Sequence, residues 1–287
     1  MIPEPLAAAL APLTGEIAGA EACGGGSINR TLWLCSQAGR QYFLKLNEAS
    51  LADMFAAEAA GLAELARAGA VRVPAVLGHG LAGEHAYLLL EYLPMRAGGA
   101  RAAARLGEQL AALHRVSADA YGWHRDNTIG STPQTNAWCG DWTEFWCRRR
   151  LQPQLELAAR GGHADIAALG QRLLERVPAL LAGHEPPPSL LHGDLWGGNW
   201  AQSMSGEPVI FDPAVYYGDR EADLAMTRLF GGFPGEFYRA YEQAWPLPPG
   251  AGRRDALYRL YHVLNHLNLF GSAYAGQAAA IMHGLLR

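Results

Sequence analysis

The sequence predicts an α+β fold in two lobes: a small, antiparallel β-sheet lobe with one long helix, followed by a larger and mainly helical lobe. Its first third alternates short β-type runs with turn residues, whereas the rest shows helical periodicity. The change falls at Pro94 and the Gly98-Gly99 pair. One short β-type island, over residues 190–211, interrupts the helical part. We therefore expect lobes over residues 1–93 and 94–287.

Composition narrows the class of protein. Half of the 287 residues are apolar, which is enough for a large core, and the net charge is −4. No basic run is longer than the three arginines at 148–150, which argues against nucleic acid as the main partner. No apolar run reaches the ~20 residues that a membrane-spanning helix needs. Four cysteines without a C-x-x-C pair predict reduced thiols. We expect a cytoplasmic enzyme, monomeric or weakly dimeric, with no membrane partner.

The first lobe owes its predicted elements to apolar spacing and turn residues. Leu6, Leu10 and Leu13 have helical spacing, and a glycine-rich turn precedes two β-type runs that form a hairpin. The predicted elements are a helix over 4–13, strands over 31–35 and 41–46, a helix over 51–68, and strands over 71–77 and 86–91.

The second lobe shows mostly the 3.6-residue period of amphipathic helices. Helices are predicted over 100–116, 141–160, 164–182, 221–230, 234–245 and 253–270.

The strongest chemical signal lies in the β-type island. The string Leu191-His-Gly-Asp-Leu-Trp-Gly-Gly-Asn199 places Asn199 five positions after Asp194, the spacing of kinase catalytic loops. A second carboxylate, Asp212, ends an apolar strand 13 residues later. A polar turn between two buried strands would require neither Asn199 nor a strand that ends in aspartate. The order of elements and this island together predict a bilobal, protein-kinase-like fold.

Phosphoryl transfer explains these residue types. Catalysis consists mainly of positioning and charge neutralisation, and Mg²⁺ prefers hard oxygen ligands. We assign Asn199 and Asp212 as Mg²⁺ ligands and Asp194 as the base that orients the attacking hydroxyl. His192 is expected to hold the loop by hydrogen bonds rather than carry a proton.

The first lobe supplies the expected ATP-binding residues. Glycines at 24, 25 and 26 let backbone N–H groups approach phosphate oxygens, although an ordinary hairpin turn remains an alternative. Lys45 lies among apolar strand residues and needs an anionic partner. Glu58 on the next helix is preferred over Glu48 and Glu64 because it shares the apolar face. The predicted nucleotide-binding residues are Gly24, Gly25, Gly26, Ser27, Asn29, Lys45, Glu58 and, at the hinge, Glu91, Tyr92 and Leu93, where an ordinary strand end is the alternative.

Several longer strings resemble the fructosamine kinase family, relatives of ketosamine-3-kinase, over nearly the whole chain. The run of Tyr-Tyr-Gly-Asp-Arg-Glu-Ala-Asp is not a general kinase string. The matching strings are GGGSIN at 24–29, YFLKLN at 42–47, HGDLWGGN at 192–199, DPAVYYGDREADLAM at 212–226, LFGGFP at 229–234 and YHVLNHLNLFG at 261–271.

This resemblance implies ATP-dependent phosphorylation of the sugar 3-hydroxyl of ketosamines, the products of non-enzymatic glycation. The phosphorylated adduct then breaks down and frees the amine, which is a deglycation or repair reaction. The sugar stays open among fructosamines, ribulosamines and erythrulosamines. The acceptor is a small-molecule ketosamine or a glycated protein lysine.

Other residues of these strings receive separate hypotheses. Trp196 is a candidate platform for the sugar or its amine-bearing group, with plain packing as the alternative. Arg220 is a candidate substrate residue or a partner of nearby glutamates. Asp223 opens a helix and is expected to anchor the catalytic loop through backbone hydrogen bonds. The polar residues of one apolar helix reach the acceptor pocket or are satisfied elsewhere: His262, Asn265, His266 and Asn268.

Two alternatives remain open from the sequence. Aminoglycoside and choline phosphotransferases share an H-G-D-x-x-x-x-N loop and a later aspartate, but Trp196 and the YYGDREAD run favour the ketosamine side. A non-catalytic nucleotide-binding pseudokinase is the second alternative, and it is disfavoured because every expected catalytic position is filled.

Overall fold

A five-stranded antiparallel sheet forms the first lobe in the computed structural model, which describes residues 2–24 and 28–287. The strand order is β1-β2-β3-β5-β4, so the third and fifth strands lie side by side at the centre. The strands are β1 (Ile17–Ala22), β2 (Arg30–Ser36), β3 (Gln41–Glu48), β4 (Val76–Ala82) and β5 (His85–Glu91).

Each face of this sheet packs against one helix. Successive side chains of a strand point to opposite sides, so the central strands bury apolar residues on both faces. Tyr87 and Leu89 of β5 belong to a small core with helix α1 (Glu4–Thr14). Leu88 and Leu90 point the other way, toward helix α2 (Ala52–Ala68) and the main core of the protein. The α2 helix ends at Gly69, which adopts a left-handed conformation with φ of 65°.

The second lobe is mainly helical. Its chain begins with the two-residue strand β6 (Met95–Arg96), and a six-residue π-helical segment lies between α4 and α5. The helices are α3 (Ala100–His114), α4 (Trp142–Phe145), α5 (Gln152–Arg160), α6 (Ala164–Leu174), α7 (Val177–Leu180), α8 (Arg220–Thr227), α9 (Gly235–Ala244), α10 (Ala251–Phe270) and α11 (Ala275–Leu286).

Short strands in this lobe position the predicted catalytic residues. The pairs are β7 with β8, β9 with β12, and β10 with both β11 and β6. The catalytic loop follows β9, and the segment after Asp212 leads into β12. Since β9 and β12 pair with each other, the loop that leaves β9 and the segment that enters β12 are joined to the same two-stranded ribbon. The strands are β7 (Asn127–Ile129), β8 (Thr132–Gln134), β9 (Ser189–Leu191), β10 (Trp200–Ser203), β11 (Pro208–Ile210) and β12 (Tyr216–Gly218).

The predicted α+β class is confirmed, but some elements differ. The strand predicted over 71–77 is wrong for most of its length, because β4 begins only at Val76. Pro74 lacks an N–H for the sheet, and the backbone oxygen of Arg72 instead accepts from Ile210 N at 3.0 Å. The sequence interpretation also missed β1 and α11. The lobe boundary at residues 93/94 stays a prediction.

None of the helices in the described ranges is long and apolar enough to cross a membrane.

Candidate active site

A cavity of about 880 Å³ lies between the sheet and the helical part of the chain. It brings together most of the residues that the sequence predicted for nucleotide, metal and acceptor. Gly25, Gly26 and Ser27 lie outside the described residues. The predicted residues that line the cavity are Gly24, Asn29, Lys45, Glu58, Glu91, Tyr92, Leu93, Asp194, Trp196, Asn199 and Asp212.

Lys45 joins the two sides of this cavity. Its Nζ lies 2.5 Å from Glu58 Oε1 and 2.6 Å from Asp212 Oδ1. Burial by itself lowers the pKa of Lys45, but the adjacent carboxylates of Asp212 and Glu58 outweigh it and hold the pKa above its usual range. Lys45 is therefore a buried cation at the floor of the cavity, as the sequence predicted.

Lys45 pairs with Glu58 rather than Glu64 because the two glutamates lie on different faces of α2. Glu58 is on the face that points into the cavity. Glu64 is also buried, but its Oε1 binds Arg67 at 2.5 Å and accepts a hydrogen bond from Tyr217 Oη at 2.6 Å. The sequence preference for Glu58 over Glu64 thus agrees with the observed contacts.

Asn199 links the catalytic loop to the segment of Asp212. Its Nδ2 donates to the backbone oxygen of Asp194 at 2.8 Å and to Asp194 Oδ2 at 3.2 Å. Its backbone oxygen accepts from Phe211 N at 3.1 Å, which places Asp212 beside it. Asp212 has a left-handed backbone with φ of 58°, a conformation that is uncommon outside glycine and tends to occur at functional sites.

Two oxygen-bearing groups, the amide of Asn199 and the carboxylate of Asp212, remain available to bind a divalent cation. The amide nitrogen of Asn199 is used by Asp194, whereas its Oδ1 has no side-chain hydrogen bond among the described residues. Asp212 uses Oδ1 for Lys45, and its side chain is 41% exposed. One amide oxygen and one carboxylate are hard ligands of the kind that Mg²⁺ prefers while it keeps several waters. The residues present therefore fit a Mg²⁺ ion.

Asp194 lies in a more enclosed position than Asp212. Burial raises the pKa of Asp194 well above its usual range, and the negative charge of Asp212 adds to the effect. The hydrogen bond from Asn199 acts in the opposite direction. A carboxylate with a raised proton affinity is suited to accept a proton from a hydroxyl group.

His192 holds the catalytic loop, in agreement with its predicted role. Its Nδ1 accepts from Asp194 N at 3.3 Å, so Nε2 carries the hydrogen and donates to the backbone oxygen of Phe211 at 3.0 Å. Burial lowers the pKa of His192 and keeps the ring neutral, which this pattern of one acceptor and one donor requires.

Asp223 anchors the same loop from α8. Its Oδ2 accepts from His192 N at 2.7 Å, and its Oδ1 accepts from Gly193 N at 2.8 Å. Gly193 has φ of 84°, and a Cβ there would lie 2.0 Å from the backbone oxygen of Ala214. Only glycine fits between the loop and this backbone. The sequence expectation of a structural Asp223 agrees with these contacts.

The predicted hinge residues make different contacts. The carboxylate of Glu91 lies 2.6 Å from Arg72 and accepts from Ala75 N at 3.1 Å, so its side chain secures the chain before β4. Tyr92 and Leu93 line the cavity together with apolar groups from the sheet, from α2 and from the segment before β4. These groups form an apolar slot of the kind that receives a flat base, and they are Phe43, Met54, Pro74 and Leu90.

Trp196 lies at the other end of the cavity, beside Asp194. A Cβ on Gly198 would lie 2.3 Å from two carbons of the Trp196 indole, so the ring covers the Cα of this glycine. The indole remains 37% exposed. The ring is partly exposed and lines the cavity, and its role as a substrate platform stays a prediction.

The substrate role predicted for Arg220 is wrong. The side chain is buried and does not line the cavity. Its guanidinium donates to Tyr241 Oη and to the backbone oxygens of Trp245 and Pro246, at 3.1, 2.9 and 2.6 Å. It lies 3.9 Å from the centre of the Trp245 ring. Arg220 therefore fastens the end of α9 to the start of α8.

The polar residues of α10 fall into both categories left open by the sequence. Asn265 and His266 line the cavity, whereas His262 is buried behind them and Asn268 donates to Gln154. The sequence interpretation missed further lining residues because they lie on the β7–β8 hairpin, whose short strands give little periodic signal: Asn127, Thr128 and Gly130.

Comparisons with known proteins agree with this geometry. The family model described as fructosamine kinase matches residues 7–287. The chain is 48% identical over 267 residues to the probable ketoamine kinase of Synechocystis sp., covering 92% of this chain and 88% of that protein. It is 42% identical over 276 residues to the chloroplastic protein-ribulosamine 3-kinase of Oryza sativa subsp. indica, covering 95% and 80%.

Solved structures show the same relationship. A protein from Haemophilus somnus assigned as a fructosamine-3-kinase superposes with a TM-score of 0.90 at 31% identity, covering 98% of this chain and 97% of that one. A thermostable mutant of an aminoglycoside phosphotransferase superposes with a TM-score of 0.68 at 17% identity and 98% coverage of both chains, which shows the shared protein-kinase-like fold. Because the family match spans nearly the whole chain and includes all the residues that line the cavity, the chain belongs to the fructosamine kinase family.

Proposed function

We propose that this protein is an ATP-dependent kinase that phosphorylates the sugar 3-hydroxyl of ketosamines. The observation that carries the proposal is the convergence of Lys45, Asp194, Asn199 and Asp212 on one cavity. The names of the relatives, a ketoamine kinase and a protein-ribulosamine 3-kinase, support the choice of acceptor.

Each residue of the cavity has a task in this reaction. The ammonium of Lys45 binds phosphate oxygens of ATP, and the apolar slot behind Tyr92 and Leu93 takes the adenine. Asn199 and Asp212 would hold Mg²⁺, which neutralises charge on the phosphates when it is bound. Asp194 orients the 3-hydroxyl and accepts its proton. The sugar oxygen then forms a bond to the γ-phosphorus as the bond from that phosphorus to the β–γ bridging oxygen breaks.

The fate of the phosphorylated product indicates the biological role. A ketosamine phosphorylated at the 3-position breaks down and frees its amine, so we propose a role in deglycation. The acceptor is a small-molecule ketosamine or a glycated protein lysine. We further propose that the protein acts in the cytoplasm as a monomer or weak dimer, without nucleic acid or membrane, consistent with its net charge of −4.

A screen for ATP consumption tests the proposal. The acceptors are erythrulose, ribulose and fructose adducts of one amine, compared with aminoglycosides and choline. We expect turnover of at least one ketosamine, with the phosphate assigned to the 3-oxygen by phosphorus NMR. Asp194→Asn should keep ATP binding and lose roughly 10²–10⁴-fold in kcat, the usual contribution of a general base.

Two outcomes would contradict this proposal. Turnover of aminoglycosides or choline alone would assign the protein to a sibling kinase class. A thermal shift with ATP and Mg²⁺ but no turnover of any acceptor would indicate a nucleotide-binding pseudokinase.

A further inference from the structure

Aromatic side chains form a continuous surface outside the Asp194 end of the cavity. The rings of Trp196 and Phe230 are 6.1 Å apart, and those of Phe230 and His266 are 4.4 Å apart. The His266 ring lies 5.4 Å from Phe270 and 5.3 Å from Tyr274. We call these five residues the aromatic shelf. Trp196, His266 and Phe270 also line the cavity, so the shelf continues its wall outward.

The shelf is held in place although much of it faces solvent. Trp196, Phe230 and Phe270 are 37%, 38% and 49% exposed. The indole of Trp196 rests on Gly198, and His266 Nδ1 lies 2.8 Å from the backbone oxygen of His262. A group of exposed aromatic rings at the mouth of a cavity is typical of a binding surface, since a soluble protein gains no stability from it.

The electrostatics of the shelf define its ligand. Four of the five side chains are uncharged, and burial lowers the pKa of the fifth, His266, which disfavours its charged form. Aromatic faces attract cations through their quadrupole and bury apolar groups at the same time. An anionic group would find no partner on the shelf itself. The surface therefore fits an apolar group that lies next to a positive charge.

Such a group is part of the proposed acceptor. In a ketosamine only a few bonds separate the 3-oxygen from the nitrogen, which is a protonated secondary amine. Asp194 holds the 3-hydroxyl, and Trp196 is two positions further along the chain. We propose that the aromatic shelf binds the amine-derived substituent of the ketosamine, with Phe230 and Phe270 as residues that select apolar substituents. This inference rests on the proposed function and deepens it.

The test compares substituents on one sugar, namely the sugar that the wild-type protein uses best. Its adducts with methylamine, benzylamine and glycine differ at the nitrogen substituent alone. We expect the wild-type protein to have the lowest KM for the benzylamine adduct and the highest for the glycine adduct. Phe230→Ala and Phe270→Ala should each raise the KM for the benzylamine adduct roughly three- to tenfold, the usual range for one aromatic contact.

Controls separate this effect from damage to the fold. The KM for ATP and for the methylamine adduct should stay within about twofold in both variants, and Phe270→Leu should retain part of the preference. Trp138→Ala is the matched control, because Trp138 is 48% exposed and does not line the cavity. It should leave all three acceptor KM values unchanged.

The outcomes distinguish the two proposals. Equal KM values for the methylamine and benzylamine adducts, unaltered by Phe230→Ala and Phe270→Ala, would overturn the shelf and leave the kinase activity intact. The absence of turnover with every ketosamine would overturn the proposed function and, with it, the shelf.

Discussion

Asp212 and Phe230 both have left-handed backbones although neither is glycine, with φ of 58° and 53°. For an L-residue this conformation costs about 1–2 kcal/mol. Aspartate tolerates it better than phenylalanine because its short polar side chain can hydrogen-bond locally. Phe230 is followed by Gly231 and Gly232, which also have positive φ. The strain thus lies at the proposed metal ligand and on the aromatic shelf, as is common at functional sites.

Two substitutions at Phe230 measure this strain. Phe230→Gly and Phe230→Ala both remove the ring, but alanine alone retains the penalty of a left-handed backbone. We expect the glycine variant to be more stable than the alanine variant by about 1 kcal/mol in urea unfolding. Ala104→Gly in α3 is the control, where glycine should instead lower stability by about 1 kcal/mol. An alanine variant of Phe230 that is more stable than the glycine variant would contradict the assigned backbone conformation.

Single residues also show how far sequence predicts a site. The spacing of Asp194, Asn199 and Asp212 was sufficient, because loop and hairpin geometry bring near neighbours in the chain together. Arg220 was misassigned because a motif does not say which way a side chain points. Phe230 and Phe270 were missed because their ring contacts, with Trp196 and with His266, depend on tertiary packing.

Among the structural elements, α8 supports the catalytic loop most directly. Asp219 caps the helix by accepting from Glu221 N at 3.0 Å, and Tyr258 donates to Asp219 at 2.5 Å. One turn later Asp223 receives two backbone N–H groups of the loop, and His114 Nε2 lies 3.1 Å from its Oδ2. Burial raises the pKa of Asp223, but the contacts from His114 and the loop outweigh it and hold the pKa below its usual value.

This shift predicts how stability varies with pH. A carboxyl group whose folded pKa is depressed stabilises the fold above its unfolded pKa of about 3.9, and the contribution is lost as pH falls through the folded pKa. Asp223→Asn should lower the free energy of unfolding at pH 7 by roughly 2–4 kcal/mol. Its stability should then vary less than that of the wild type below about pH 4.

Urea unfolding at several pH values checks the prediction for Asp223. Asp53→Asn is the control, because Asp53 is exposed and should leave stability and its pH dependence nearly unchanged. Parallel pH profiles for Asp223→Asn and the wild type below pH 4 would show that Asp223 is not the titrating group.

The elements that were mispredicted have local explanations. Strand β1 consists mostly of small residues and lacks the bulky alternation that identifies strands. The segment 71–75 has β-type composition but forms no continuous strand: Arg72 makes an isolated bridge to Val209 of β11, and the backbone oxygen of Ala75 accepts from Glu91 N at the end of β5. Long helices such as α2, α3 and α10 were predicted to within a few residues because their apolar faces repeat over several turns.

At the scale of the whole molecule, α2 connects the two lobes. Tyr217 of β12 donates to Glu64 of α2, and Gly61 of α2 packs against Val215, where a Cβ would lie 3.2 Å from the Val215 side chain. The same helix carries Glu58, the partner of Lys45. The position of the nucleotide-binding lysine therefore depends on a contact between the lobes.

Tyr217→Phe tests this dependence. The substitution removes the hydrogen bond to Glu64, and we expect a loss of about 1–3 kcal/mol in the free energy of unfolding together with a higher KM for ATP. Arg67→Gln removes the exposed partner of Glu64 and should cost less than about 1 kcal/mol. Urea unfolding curves and the KM for ATP, measured for both variants, check these two expectations. An unchanged KM for ATP in Tyr217→Phe would mean that Lys45 is positioned without this contact.

The hairpin of β10 and β11 has a consequence for the evolution of the family. Asn199 and Asp212 both flank its base, while its turn at residues 204–206 lies at the surface with Met204 exposed. Pairing of Trp200 with Ile210 fixes the base regardless of how many residues form the tip. Insertions and deletions at this tip should therefore accumulate among relatives without displacing the proposed metal ligands, and the tip offers a place to attach a reporter peptide.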